Sequence, residues 1–525
     1  MPTVSQVTLD LLRDLGITTI FGNPGSTELP MFKDFPGDFR YVLGLQESVV
    51  LGMADGFAQA TRNAALVNLH SSAGTGHALG NLFTAFKNQT PLIVTAGQQA
   101  RSIIPFEPFL FAERPTEFPR PFVKWAIEPA SAADVPRAIA RAYYEAMTPP
   151  YGPTFVSIPI DDWEAQAEPI KGRRIATLNP GDPAAAAELA QELRRAARPA
   201  FVLGAGVARD QAWKALVELA ERQKVAVYVA PFASRNVFPE DHRLFKGFLP
   251  ADRERIVERL QPHDLVVVFG GPLNLYHVEG KGPHLPPGTA CWLVGDHPGQ
   301  LAWAPQGRGL LGNTRSVAEQ LLTLAGASSR AAPDPRPAPP PLESAVLDDR
   351  LVMQRIDALL PDTAIVVEEA PSSRPAMQAY LQLKRPDSFY TTASGGLGYS
   401  LPAAVGVSLG SPGRHVVAIL GDGSSMYSIQ GLFAAAQLRV PVTFIIINNS
   451  SYAALRSFGR LFGIQHVEGT DLAGLDFCAL ARGQGLPAVS VSQAADLDRE
   501  LASAFAADGP RLIEVRVVAS GMGGH

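Results

Sequence analysis

Two short polar turns, Gly421-Asp422-Gly423 and Asn448-Asn449, each close an apolar run: Val416–Leu420 precedes the first and Val442–Ile447 the second. The Asp422 carboxylate and the Asn449 amide oxygen are hard-oxygen ligands of the kind Mg2+ takes, and Mg2+ usually keeps part of its shell for phosphate and water. Gly423 lets the backbone approach a phosphate, and Ser424 can donate to it. The chemistry implied is metal-assisted anchoring of a phosphorylated ligand. Two parallel strands joined by a crossover helix would bring Asp422 and Asn449 side by side at their carboxyl ends.

Three further signals end strand-like runs near the N-terminus. Thr18–Phe21 leads into Gly22-Asn23-Pro24-Gly25-Ser26, Tyr41–Leu43 into Glu47 at the head of a helix, and Ala65–Leu69 into His70 and a Gly-rich stretch. Ligands of open α/β sheets bind beyond the carboxyl ends of strands, so Ser26, Glu47 and His70 are expected to converge on one cleft. His277 follows the run Leu265–Phe269, in the segment GGPLNLYHVEG. Histidine titrates near neutrality, which suits it to acid and base work. His77, on the helix after the Gly-rich stretch, reads as structural.

The elements that must hold these residues alternate strand and helix patterns along the whole chain. The reading is α/β, with three doubly wound parallel-sheet domains in series. Boundaries are expected at 1–180, 181–327 and 345–525, with a Pro-rich linker at 328–344 (SSRAAPDPRPAPPPLES) whose composition excludes helix and sheet. In the first domain Val4–Leu15 has helical spacing and Leu92–Thr95 is a fourth strand; the second has strands at Ala200–Leu203, Ala226–Val229, Leu265–Phe269 and Trp292–Val294 and a helix over Gln211–Gln223; the third ends on a strand at Leu512–Val517.

Composition narrows the function classes. The 525 residues are 46% hydrophobic and 18% charged, which suits a globular protein with a large core. The net charge is −5 and no basic stripe appears, so no nucleic-acid partner is expected. Apolar runs are strand-sized, so no membrane partner is expected, and the first residues read as an amphipathic helix rather than a signal peptide. Two cysteines, Cys291 and Cys478, fit a reducing, cytoplasmic setting.

The stretches FGNPGSTELP, LGLQESVVLGMADGFAQAT, NLHSSAGTGHALGNL, LIVTAGQQ, PRPFVKWAIEPASAADVP, PLNLYH, ASGGLGYSLPAAVGV and NNSSYAALRSF together resemble the thiamine-diphosphate-dependent 2-keto acid decarboxylases, and within them the benzoylformate decarboxylase subfamily. The resemblance spans nearly the full length and implies the thiamine-diphosphate-binding fold. It also implies thiamine diphosphate and Mg2+ as cofactors, and a homotetramer, a dimer of dimers, with active sites at the subunit interface. On this resemblance Glu47 activates the aminopyrimidine so that the ylide forms, while Asp422, Asn449 and the Ser451 carbonyl hold Mg2+. Gly423, Ser424, Ser372 and Tyr452 contact the diphosphate, Gly395 receives the pyrimidine amino group, and Leu397 wedges the cofactor into its bent shape. Ser26 binds the substrate carboxylate, and His70 and His277 move protons through the enamine stage. Leu110, Leu455 and Phe458 surround the aryl ring. Thr391 departs from the pattern, standing where the subfamily carries a large aromatic, and Pro371 and Ser457 depart at Thr and Trp positions.

The activity implied is non-oxidative decarboxylation of an aromatic 2-keto acid, benzoylformate to benzaldehyde and CO2, with aldehyde carboligation as a side reaction and a mandelate-type degradation route as its setting. Three alternatives share the cofactor: an FAD-containing acetolactate synthase-like enzyme, an acyl-CoA lyase-like enzyme, and a non-catalytic binding homologue. The segment Leu203–Ala208, LGAGVA, resembles the start of a dinucleotide fingerprint but lacks its third glycine.

Overall fold

Burial on both faces makes the strands of an all-parallel sheet read as continuous apolar runs. The computed structural model, which describes residues 1–518, turns those runs into three six-stranded parallel sheets. The first contains β1 (Thr19–Gly22), β2 (Arg40–Leu43), β3 (Ala65–Leu69), β4 (Leu92–Gln98), β5 (Trp125–Ile127) and β6 (Pro153–Pro159), in the order β2-β1-β3-β4-β6-β5. The second contains β7 (Pro199–Leu203), β8 (Ala226–Val229), β9 (Phe245–Phe248), β10 (Leu265–Phe269), β11 (Ala290–Gly295) and β12 (Arg308–Leu311), in the order β12-β11-β10-β7-β8-β9. The third contains β13 (Ile365–Glu369), β14 (Phe389–Thr391), β15 (Val416–Gly421), β16 (Val442–Asn448), β17 (Ala488–Val491) and β18 (Arg511–Arg516), in the order β14-β13-β15-β16-β18-β17. The α/β class with three parallel sheets in series therefore holds.

Helices cover both faces. The first, α1 (Val4–Asp14), starts on a capping box: Thr3 Oγ1 accepts from Gln6 N–H, and the Gln6 side chain accepts from Thr3 N–H. The next two, α2 (Glu47–Thr61) and α3 (Ser71–Asn88), begin right after β2 and β3, so their first residues stand at the carboxyl edge of the sheet. The helix Ser400–Gly410 occupies the matching place after β14 and packs against α2. That contact joins the first and third sheets through one apolar cluster, running from Phe21 and Val49 to Leu401, Val405 and Phe444. The Tyr399 hydroxyl donates to Asp55 Oδ1 at 3.0 Å across the same contact.

Residues 328–344 contain neither helix nor strand. They are nonetheless tied down: Arg330 donates to the Gln223 and Leu193 carbonyls at 2.7 and 2.6 Å, and Arg336 donates to the Gln378 carbonyl at 3.2 Å. Among the described residues no helix is long and apolar enough to cross a membrane.

Candidate active site

The loop after β1 crosses the ends of β2 and β3 closely. A Cβ at Gly25 would collide with the His70 ring, so only glycine lets this loop and that imidazole meet. His70 is the residue before α3, and its Nδ1 lies 2.9 Å from Glu28 Oε2 and 3.3 Å from Thr27 Oγ1. Glu28 is buried, and its other oxygen accepts from Gly97 N–H at 2.9 Å and from the Thr27 hydroxyl at 2.5 Å. A carboxylate placed like this takes a donor from the ring. Nδ1 then carries the proton and Nε2 is left as the working nitrogen. Ser26 is exposed beside this pair.

Glu47 opens α2 and is buried. The preceding Gln46 side chain caps the helix, accepting from Ser48 and Val49 N–H at 2.6 and 3.1 Å. Asn23 Nδ2 donates to Glu47 Oε1 at 3.2 Å, and His77 Nδ1 lies 3.0 Å from Glu47 Oε2. His77, read as structural, has a specific place: its ring is 64% exposed and rests on the Glu47 carboxylate, the one in this region that the sequence marked for chemistry. The spacing from His70 to His77, two turns along α3, was the available signal, because it carries the ring back along the helix to α2. Glu28 also escaped the sequence reading, although it follows Ser26 by only two residues.

On the third sheet, β15 and β16 are register partners through Gly421 and Ile447, so Asp422 and Asn449 emerge together. Asp422 Oδ1 accepts from Gly423 N–H at 2.7 Å, and Oδ2 accepts from Asn449 and Ser451 N–H at 3.1 and 3.3 Å. Asn449 Oδ1 accepts from Ser451 N–H and Oγ at 3.1 and 2.9 Å. Burial pushes the Asp422 carboxyl up, against these backbone donors, and no ion pair engages it among the described residues. A buried carboxylate beside an amide oxygen, with no cationic side chain to pair with, is a donor set that fits a hard divalent cation. The Ser424 hydroxyl is committed to the Glu369 and Gly421 carbonyls at 2.6 and 3.1 Å, which leaves its backbone for an anion. The Tyr452 ring packs against Gly423.

A cavity of about 470 Å³ lies between the second and third sheets. Pro371, Ser372, Gly395, Leu397 and His277 all line it. The His277 ring meets Phe458 edge-on at 4.6 Å and Phe232 at 5.9 Å, and its backbone N–H donates to the Ala251 carbonyl at 2.9 Å. The Gly395–Leu397 loop is fixed from below by Glu369, whose carboxylate accepts from Gly398, Tyr399 and Ser400 N–H at 2.6 to 2.9 Å. Burial nonetheless pushes Glu369 up to about 7. Lys246, Arg259 and Arg336 line the same cavity, giving it a positive wall suited to an anionic substrate.

The chain thus gathers the sequence-marked residues into three groups: Ser26, Glu47 and His70 on the first sheet, Gly423, Ser424, Asn449, Ser451 and Tyr452 around Asp422, and His277 with the cavity residues. Leu455 is exposed on the helix Ala453–Leu461, and Ser457 is buried on it, its hydroxyl accepting from Arg460 Nη2 at 2.7 Å. Leu110 sits on the loop 99–124 with a positive φ of 66° and is not a cavity residue. Thr391 is fully buried beneath the cavity wall, its hydroxyl donating to the Glu368 carbonyl at 2.7 Å, so it does not line the cavity. Phe389, two residues earlier on the same face of β14, does line the cavity; Thr391 is covered instead by the Arg374 side chain, which bonds its hydroxyl.

Family models agree with this layout. The N-terminal TPP binding domain of thiamine pyrophosphate enzymes matches residues 2–112, their central domain residues 186–321, and their C-terminal TPP binding domain residues 372–515. The chain belongs to the thiamine pyrophosphate enzyme family. Among the curated members of that family, a benzoylformate decarboxylase from Pseudomonas aeruginosa is 45% identical over 98% of this chain and 99% of its own. An acetolactate synthase from Arthrospira platensis is 26% identical over 97% of this chain and 93% of its own. Among solved structures, the benzoylformate decarboxylase of Polynucleobacter necessarius superposes with a TM-score of 0.97 at 39% identity, covering 99% of both chains. The thiamine diphosphate-dependent 4-hydroxybenzoylformate decarboxylase of Rhodococcus jostii gives 0.95 at 41% identity, covering 98% of this chain and 99% of that one. The three matched segments of this thiamine pyrophosphate enzyme fall one on each of its three sheets.

Proposed function

We propose that the chain is a non-oxidative decarboxylase of aryl 2-keto acids of the benzoylformate type, working with thiamine diphosphate and Mg2+. The observation that carries this reading is the pair of histidines in unlike settings. His70 is held by the buried Glu28 carboxylate, and His277 is held edge-on to Phe458 in the cavity. Decarboxylation followed by protonation calls for two acid-base groups, and these two are separately oriented for the task.

Asp422, Asn449 and the Ser451 carbonyl would hold Mg2+, with the backbone of Gly423 and Ser424 and the Ser372 and Tyr452 side chains toward the diphosphate. Bound thiamine diphosphate supplies a carbon nucleophile and an electron sink for the pair released with CO2. Glu47, positioned by Asn23 and His77, would hold a proton toward the aminopyrimidine of the bound cofactor. Ser26 binds the substrate carboxylate, and His70 Nε2 and His277 exchange protons with the reacting atoms. Leu397 and Phe458 exclude water and seat the aryl ring.

The first-sheet group does not line the cavity of its own chain. It serves the cavity of a second copy, so the working unit is a symmetric dimer, paired again into a tetramer. Exposed apolar side chains support this: Phe109 is 87% exposed, and Leu43, Leu45, Phe106 and Phe462 are also bare in the single chain. Both cysteines are free and buried, in keeping with the cytoplasm.

The FAD alternative loses its main support, because the glycines of Leu203–Ala208 have another reason to be there. A Cβ at Gly204 would lie 2.6 Å from Gly271 Cα, and one at Gly206 would lie 2.7 Å from Gly270 Cα, so close packing between the ends of β7 and β10 requires them. The test is CO2 release from benzoylformate, phenylpyruvate and pyruvate after loading with thiamine diphosphate and Mg2+. Benzoylformate should be turned over fastest; brisk release from pyruvate with none from benzoylformate would overturn the reading.

A further inference from the structure

Arg374 lies two residues past Ser372, in the first turn of the helix Arg374–Tyr380, and lines the same cavity as His277, Gly395 and Leu397. Its guanidinium is clamped from one side. Nη2 donates to the buried Glu368 carboxylate and, at 2.7 Å, to Thr391 Oγ1. Glu368 and Thr391 are register partners on β13 and β14, so the clamp is a cross-strand pair. The other Glu368 oxygen is taken by Ala370 N–H at 2.6 Å. Thr391 passes its own proton to the Glu368 carbonyl. Every polar atom behind the guanidinium is therefore committed, while Nε is buried without a partner and no hydrogen bond occupies Nη1 among the described residues.

A guanidinium held this way cannot turn aside when a ligand fills the cavity. Nε is already shut away from water, so Nη1 is the donor left for a ligand; covering it with bare hydrocarbon strips it of water and gives nothing back. An oxygen on the ligand would satisfy it. Sites built to hydrogen-bond a substrate oxygen reject the analogue that lacks it far more strongly than apolar pockets reject a missing methylene.

We propose that Arg374, held by Glu368 and Thr391, is a specificity-determining residue that donates to an oxygen-bearing substituent on the ring of the substrate. The preferred substrates are hydroxy- or methoxy-substituted aryl 2-keto acids rather than the unsubstituted one. This rests on the decarboxylase reading above and names the substrate class within it. A threonine at 391 belongs to the same device, because its short side chain brings a hydroxyl to Nη2 that a phenylalanine or tryptophan there would lack.

The test is kcat/KM of the holoenzyme, loaded with thiamine diphosphate and Mg2+, for benzoylformate and its 3-hydroxy, 4-hydroxy and 4-methoxy derivatives. At least one substituted acid should be preferred by about tenfold or more. Arg374→Met combined with Glu368→Gln, which avoids an orphaned buried carboxylate, should bring the ratio to unity or below. Thr391→Val, nearly isosteric, should move it part of the way. If these variants do not fold, the ratio in the unaltered enzyme still decides. Equal or better use of benzoylformate by the unaltered enzyme overturns the inference and leaves the decarboxylase reading intact. Release of CO2 from none of the four acids, with cofactor binding shown by circular dichroism, overturns the reading and the inference together.

Discussion

The first and third sheets share one strand order, β2-β1-β3-β4-β6-β5 and β14-β13-β15-β16-β18-β17, and use the same positions for different work. The loop after β1 carries Asn23, Ser26 and Glu28; its counterpart after β13 carries Pro371 and Ser372 and leads into the helix that Arg374 opens. The helix after β2 begins with Glu47, whereas the helix after β14 is preceded by the Gly395–Leu397 loop. At the end of β3 stands His70; at the end of β15 stands Asp422. On the proposed reading, the first sheet presents groups that exchange protons, and the third presents fixed backbone donors and hard oxygen atoms. One strand order, repeated in the chain, would then separate proton traffic from anchoring through the residue types at the strand ends.

That division can be broken experimentally. The largest effect should come from Glu47→Gln, which keeps the contacts to Asn23 and His77 but cannot take a proton. Turnover should fall by roughly 10²- to 10⁴-fold while cofactor affinity, read by calorimetry, stays close to that of the unaltered protein. Asp422→Asn should give the reverse signature: cofactor and Mg2+ binding weaken sharply, while kcat at saturating cofactor falls less than in Glu47→Gln. Equal loss of kcat and of affinity in both variants would erase the distinction between the sheets. Glu28→Gln sharpens it further. A glutamine has one acceptor oxygen where Glu28 uses two, so either Gly97 N–H or His70 loses its acceptor, and His70 loses the charge behind it. The kcat should drop by roughly tenfold or more, the scale of altering a carboxylate behind a working histidine, with a shifted pH profile.

How much of this was legible in the sequence follows from which signals are local. β3, β8 and β10 coincide with the apolar runs that mark them, and β1 and β2 begin one residue away from theirs. β6 is hidden because prolines stand at both its ends, and β5 because it has only three residues, none of them buried. Asp422, Asn449, Glu47 and His70 were readable because strand ends are where α/β sheets keep their chemistry. The contacts of His77 with Glu47 and of Glu28 with His70 were not, since a side chain's partner depends on packing between elements. Thr391 shows the same limit: its residue type was visible, but the Arg374 side chain that covers it was not.

The smallest effect concerns the joint between the two sheets. Burial pushes Asp55 up to about 6, despite its bonds to Gln59 and Tyr399. Between about pH 4, where a free aspartate titrates, and that value, folding takes up a proton, so stability falls as pH rises through the window and levels off above it. Buried Glu369, pushed up to about 7, adds a slope of the same sign over an overlapping window. Thermal melts should therefore show a shallower fall between about pH 4 and about pH 6 in Asp55→Asn than in the unaltered protein. An unchanged slope in the variant would assign the effect to other groups.

The central claim, that one chain's first sheet completes another chain's third, has a direct measurement: activity after mixing Glu47→Gln and Asp422→Asn subunits through unfolding and refolding. Each variant alone should be nearly inactive. In a hybrid dimer one of the two sites receives an intact Glu47 from one copy and an intact Asp422 from the other. Random pairing should therefore restore about a quarter of the unaltered activity, because about half the dimers are hybrids with one good site each. Activity no higher than that of the two variants assayed separately, in a mixture shown to exchange subunits, would contradict the account.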